Sequence, residues 1–443
     1  MRQLRSILAL PAVLACAGTA AAQETLRLSL AEAVSRAAAQ APGVQVAGLR
    51  VEESEAHVRQ ARATLLPRVD AGAAWMNRVY NRASLGLQFP SFPGSPLLRD
   101  RVGPFDLWDT RVRVSQTLFA PAAWTAVRAA RLQVEASEAE RDAVAEAAAA
   151  RAAPAYVDAV RARSMLAVRG EDLKLARELV RLARERARTG TATPLDVTRA
   201  ETQQLAAEGD SLVAANAVAR ADVELAHVLG LDPATRFQLS DGLDAVAGPD
   251  TLMDAEAGIR RALASTPELR IERARLEAAQ AAEGAVWAER LPQVYAFGDF
   301  GWNGTYRGNM IPTHQVGVQV SISILDGLGR EGRIAEQRTL AEQARMRGRD
   351  LRARVEADVR AALLDLASAR ERRRVAAARV RLALSELEQA QARFREGTSD
   401  NRDVVGAQRT LVAAEDVVIA TQYLAAIGRI RLAQATGRAR ALR

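Results

Sequence analysis

Apolar and polar positions alternate most cleanly between Gln315 and Leu325, where Val316, Val318, Val320, Ile322 and Ile324 are separated by small or polar residues. A strict period of two, with one apolar and one polar face, predicts a β-strand over 313–325. A weaker alternation through Val112, Val114 and Leu118 predicts another over 108–119. Shorter patterns carrying Trp75, Tyr295, Phe297, Phe300 and Trp302 predict strands near 68–80 and 293–303. Each segment is about 11 to 13 residues, enough for a tilted strand to cross a bilayer.

Elsewhere the apolar residues recur at spacings of three and four, as in Leu175, Leu179 and Leu182, or Val380, Leu384 and Leu387. This period runs from Ala122 to Arg188 and from Leu328 to Glu396. Each stretch predicts a helix of roughly 100 Å, too long for a compact domain and suited to coiled-coil packing. Pro154 is expected to kink the first of them.

The pattern is duplicated. Pro42 and Pro267 stand 225 residues apart, and so do Pro67 and Pro292. Further along, Gly190 and Gly397 stand 207 apart, as do Asp196 and Asp403. Two structural repeats are therefore expected, over 23–250 and 251–443, joined by the Asp-, Gly- and Pro-rich tract Leu231 to Asp250. The first repeat is longer between Pro67 and Phe119. Its excess falls mainly in Asn81 to Leu107, whose Pro90, Pro93, Pro96 and Pro104 suit an external loop better than a strand.

Two helix–turn–helix hairpins occupy equivalent places, at 188–196 and 395–403. In each, a Gly-Thr pair follows a basic helix end, as expected of a glycine C-cap with an N-cap residue just beyond. Thr193, Asp196, Ser399, Asp400 and Asp403 belong to these turns, and Phe394 lies just before the second.

Composition sharpens this picture. Of the 18 aromatic residues, 13 lie in 67–124 or 292–306, as interfacial girdles of a membrane barrel would place them. The formal charge is +8 with a single lysine, Lys174, but arginines alternate with Glu and Asp, which marks solvated helix faces rather than a nucleic-acid surface. Residues 1–22 read as a secretory signal: Arg2 and Arg5, a short apolar run, then Ala20-Ala21-Ala22. Cys16, the only cysteine, sits inside it, with lipidation as the alternative. No later run of about 18 apolar residues suggests a membrane helix. His57, His227 and His314 are scattered, so no catalytic or metal cluster is expected, and no cofactor. The Gly327-Leu328-Gly329-Arg330-Glu331-Gly332 segment contains a dinucleotide-like glycine spacing, but it follows an alternating strand and reads as a strand-to-helix turn.

Several stretches together carry a resemblance: S-L-A-E-A-V with Pro42, A-R-A-T-L-L-P at 61–67, Gln116 to Phe119, I-L-D-G-L-G at 324–329, R-T-G-T-A-T-P-L-D-V, and F-R-E-G-T-S-D-N-R-D-V-V-G-A-Q. In order and duplication they resemble the TolC-like outer-membrane efflux proteins across essentially all of 25–437. The resemblance implies a mainly α fold with a membrane β-barrel: a long-helix tunnel plus four strands per subunit, which form a shared 12-stranded barrel in a homotrimer. It implies an exit duct in the outer membrane, in contact with outer-membrane lipid, a periplasmic adaptor and an inner-membrane pump, and no enzyme. The hairpins would form the periplasmic gate, with Asp403, Asp400, Asp196, Thr193, Phe394 and Ser399 as candidates. Asp403 matches the first of two gate aspartates in the family's prototype, while Gly406 replaces the second. Phe394 and Ser399 stand where that prototype has a tyrosine and an arginine. An exported periplasmic coiled-coil adaptor or structural protein is the alternative reading of the residues themselves.

Overall fold

The computed structural model describes residues 25–81, 101–248, 254–399 and 401–442. The expected signal segment, most of the expected external loop and Asp400 lie outside the described residues.

Two helices of 68 residues dominate the molecule, α3 (Pro121–Arg188) and α8 (Gly329–Glu396). Each turns back into a 35-residue partner, α4 (Pro194–Val228) and α9 (Asn401–Ala435). Two helices of 22 residues, α2 (Pro42–Ala63) and α7 (Pro267–Ala288), pack along α3 and α8. Alanine lines the seams: Ala148, Ala149, Ala152, Ala153 and Ala159 of α3 are buried. With only a methyl group at such positions, helix axes can approach closely, which explains a stable bundle with so few aromatic residues. The helix α3 runs through Pro154 without a break in its assignment.

At mid-length a girdle packs around the long helices. It consists of α1 (Leu30–Gln40), the parallel pair β1 (Leu26–Leu28) and β4 (Phe237–Leu239), the short α5 (Leu243–Ala247) and α6 (Ala255–Ser265), with α1 on α3, α5 on α9 and α6 on α8. Tyr156 is fully buried there, and its hydroxyl lies 3.1 Å from both the Leu28 carbonyl and Asp241 Oδ2. The Leu231 to Asp250 tract is thus more than a connector, since it supplies β4 and α5. Burial pushes the Tyr156 phenol up to about 12, so it stays a neutral donor.

One four-stranded antiparallel sheet lies at the far end of the long helices, in the order β2–β3–β5–β6. Its strands are β2 (Arg68–Asn81), β3 (Arg101–Phe119), β5 (Gln293–Gly304) and β6 (Ile311–Ser321). Two boundaries differ from the sequence reading. First, β3 begins at Arg101, so Arg101 to Leu107, Pro104 included, is strand rather than loop. Second, β6 ends at Ser321 although alternation continues to Leu325. Its neighbour begins at Gln293, opposite Ser321, so Ile322 and Ile324 have no strand to pair with among the described residues.

Among the described residues one helix, α9, is long and apolar enough to cross a membrane by length and composition alone. The sequence pattern predicts no membrane helix there. Val404, Leu411, Ala414, Ile419, Ala426 and Ile430 of α9 are instead buried against the other helices.

Candidate functional site

The strand register decides what the sheet can do. Residues paired across strands share a face. Val69, Ala71, Ala73 and Trp75 of β2 pair with Val114, Val112, Thr110 and Trp108 of β3. Val112 pairs with Phe300 and Thr110 with Trp302 of β5, which also sets Gly298, Ala296 and Val294 opposite Val316, Val318 and Val320 of β6. This face is therefore mainly apolar, interrupted by Thr110, His314 and the Asn77–Asp106 pair, yet it is uncovered: Val316 is 83% exposed and Val318 64%.

The opposite face is polar. Asp70, Arg113, Asp299 and Gln315 form one row across all four strands. Arg111 bridges rows, donating to Asp299 at 2.7 Å and to Asp109 at 2.9 Å. The apolar members of this face include Met76, Leu107 and Ile311 near the turn end, and Phe297, which lies over Gly317, where an added Cβ would come within 2.8 Å of its ring. An apolar outside and a charged inside suit a membrane wall around a wet lumen.

Aromatics mark both rims of the apolar face. Trp75 and Trp108 stand 6.4 Å apart, and Phe300 and Trp302 4.9 Å apart, near the turn end. Phe119 and Trp124 meet edge to face at 5.3 Å at the helix end. Among the described residues the outer edges of β2 and β6 have no partner strand. Four strands cannot close a barrel, and open edges are not tolerated in lipid.

The opposite end of the molecule carries the two hairpins. At the first, Gly190 has φ 74° and Thr193 caps α4. The Thr193 N–H donates to Asp196 Oδ2 at 2.9 Å, and the Asp196 N–H donates to Thr193 Oγ1 at 3.3 Å. At the second, Gly397 has φ 77° and its N–H donates back to the carbonyls of Arg393 and Phe394. The hairpins are tied together. The Arg186 guanidinium sits 4.5 Å over the Phe394 ring and donates to the Phe394 carbonyl at 2.5 Å. Asn401, fully buried, donates from Nδ2 to the Asp196 carbonyl at 2.8 Å. Phe394 itself is buried among Leu387, Val404, Ala407 and Leu411.

The family profile described as outer membrane efflux protein matches residues 33–231 and 258–438. The chain belongs to the outer membrane efflux protein family. This efflux protein is similar to Protein CyaE of Bordetella pertussis, 30% identical over 349 residues, covering 76% of this chain and 70% of that protein. It is also similar to outer membrane efflux protein BepC of Brucella suis, 29% identical over 309 residues, covering 65% and 62%. Its fold matches the outer membrane protein VceC of Vibrio cholerae with a TM-score of 0.71 at 19% identity, over 92% of this chain and 96% of that one. It likewise matches the CmeC outer membrane channel of Campylobacter jejuni, TM-score 0.72 at 16% identity, over 93% and 86%. The efflux protein is thus an outer-membrane channel with a periplasmic helical extension, a transport protein rather than an enzyme. The alternative of a periplasmic coiled-coil adaptor or structural protein is set aside by the family match.

Within this efflux channel the sequence-predicted residues divide. Thr193 and Asp196 form a capping box, so the Asp196 carboxylate is engaged in holding the return helix. Phe394 is the hub of the inter-hairpin contact. Ser399 has its hydroxyl buried without a hydrogen-bond partner. Asp403 is exposed in the first turn of α9. Arg186 and Asn401 were not singled out by the sequence. Arg186 was visible only as a basic residue in a helix end, 207 residues before Arg393. Among the described residues no cluster of His, Cys, Asp and Glu could hold a metal ion. The glycine-rich segment 327–332 is a turn running into a helix: Gly327 and Leu328 have φ 68° and 67°, Gly329 opens α8, and Asp326 accepts from the Arg330 N–H at 2.8 Å.

Proposed function

We propose that three copies of this channel assemble into the exit duct of a tripartite efflux or type I secretion system. The duct takes cargo from an inner-membrane pump through a periplasmic adaptor that meets the hairpin end. The observation that carries this reading is the sheet, apolar on one face and unpaired at both edges, at the end of helices roughly 100 Å long. Lipid covers the face and neighbouring copies cover the edges. Twelve strands from three copies close a barrel that four cannot. The two halves of the chain act as repeats of one unit, over 23–250 and 251–443, and the 1–22 segment exports it.

The helices support assembly independently. Leu205 and Leu212 of α4 stand seven residues apart and are 68% and 69% exposed, and Val375 and Leu382 of α8 repeat the spacing at 58% and 73%. Exposed heptads of this kind are seams for a partner helix. We take α4 of one copy to pack against α8 of the next, closing the tunnel wall. The hairpins form its periplasmic mouth. There the Asp403 carboxylates, with those of Asp400, converge on the axis as a ring, while Thr193, Asp196, Phe394 and Ser399 shape and hold the turns.

The paired variant Leu205→Cys with Leu382→Cys tests the assembly. Oxidation of outer-membrane fractions should give a ladder ending at the trimer on a non-reducing gel. A monomer recovered in the soluble periplasmic fraction, with no ladder, would sink the proposal.

A further inference from the structure

Arginine lies on tryptophan at both ends of the sheet, but in different company. At the helix end the Arg290 guanidinium stacks 3.6 Å from the Trp287 ring centre and donates to Glu331 at 2.8 Å. Its charge is already answered. At the turn end the Arg307 guanidinium stacks 4.7 Å from the Trp108 ring centre, and among the described residues no carboxylate pairs with it. Asp106, two residues before Trp108 on the same face, is engaged by Asn77 Nδ2 at 2.9 Å. Asp109 points to the other face, where Arg111 holds it at 2.9 Å.

The loop that presents Arg307 is tightly built. Asn309 Oδ1 accepts from the Tyr306 N–H at 2.9 Å, and its amide donates to Thr305 at 2.8 Å. Gly304 is required beneath it, because an added Cβ would lie 2.6 Å from Asn309 Oδ1. Arg307 is therefore held over the aromatic rim of the lipid-facing side rather than left to sweep through solvent. Trp75, Phe300 and Trp302 continue that rim across β2 and β5, each close to half exposed. The long helices leave from the opposite end of the sheet, so this rim faces outward from the cell.

We propose that Arg307, seated on Trp108, binds a phosphate group of a lipid headgroup in the external leaflet. Stacking uses the face of the guanidinium and leaves its edge, a planar fork of N–H donors that matches phosphate oxygens. The tryptophan platform below accepts the lipid's apolar part, so the ligand is a phosphorylated lipid rather than free phosphate. The site rests on the outer-membrane reading and adds to it a specific lipid contact.

Native mass spectrometry of the full-length oligomer in detergent tests this, with a bisphosphorylated glycolipid, its dephosphorylated form and inorganic phosphate as probes. The unaltered protein should retain the bisphosphorylated lipid about fivefold better per site than the dephosphorylated one, as one arginine at a membrane surface gives. Arg307→Ala should lose that preference, and Arg307→Lys should keep part of it. An equal preference in Arg307→Ala would overturn the proposal. So would equal retention of both lipids by the unaltered protein, which would leave an aromatic anchor only. Binding of inorganic phosphate with no preference between the lipids would overturn it too. The oligomer mass in the same spectra reports separately on the channel assembly.

Discussion

At the scale of single residues, Asp196 and Asp403 occupy equivalent places 207 apart, yet their chemistry differs. Asp196 is bound to Thr193, whereas the Asp403 carboxylate has no hydrogen bond among the described residues and faces solvent. A ring of such carboxylates in a narrow mouth would draw in and hold multivalent cations. Asp403→Ala should relieve block by a trivalent cation in single-channel recordings while changing stability by only about 0.3–1 kcal/mol; unchanged block would remove Asp403 from the gate. Asp172 in α3 shows a different behaviour. Burial pushes its carboxyl up, helped by Asp210 and Asp416 and opposed by Arg169. A carboxyl raised in the folded state gives stability that is present below the ordinary carboxylate pKa and lost as pH rises through the raised one. Asp172→Asn should therefore raise the melting temperature at pH 7 and flatten its rise on acidification. A lower melting temperature at pH 7 would show instead that the ionised form is needed.

At the scale of elements, the hairpins were readable as two separate turns. Glycine after a basic helix end and a capping residue beyond it are local chemistry, so Gly190, Gly397 and Thr193 behave as their neighbours in sequence dictate. The contact between hairpins is not local. Arg186 meets Phe394 and Asn401 meets Asp196 across more than 200 residues of chain. Arg186→Ala removes a cation–π contact of about 0.5–2 kcal/mol along with a hydrogen bond, and should loosen one hairpin from the other. The expected outcome is a larger open fraction in single-channel recordings, with an unchanged oligomer; an unchanged open fraction would show that the contact does not hold the mouth closed. Strand ends follow the same division. Alternation announced β6, but the position of β5 ends it at Ser321.

At the scale of the whole molecule, a lone chain leaves Val316, Leu212 and Leu382 exposed, an arrangement that water disfavours. The proposed assembly would correct it, with lipid on the sheet and neighbouring copies on the helices. The 35-residue α9 shows the converse. It is apolar enough for a membrane, yet its buried positions face other helices, because a helix surrounded by packed neighbours is also apolar.

Periodicity by itself determined the two long helices, the four strands, the duplicated order and the hairpin turns, because helix and strand repeats and glycine caps are properties of short stretches of chain. The aromatic clustering placed the membrane segment for the same reason, since interfacial residues come with the strands that carry them. Only the tertiary structure decided that β1 and β4 pair across more than 200 residues, that Arg186 rests on Phe394, and that Arg307 stands on Trp108 with no carboxylate partner among the described residues. Those contacts join residues far apart in sequence, and no local pattern records which of many arginines the folding chain will carry to a given ring.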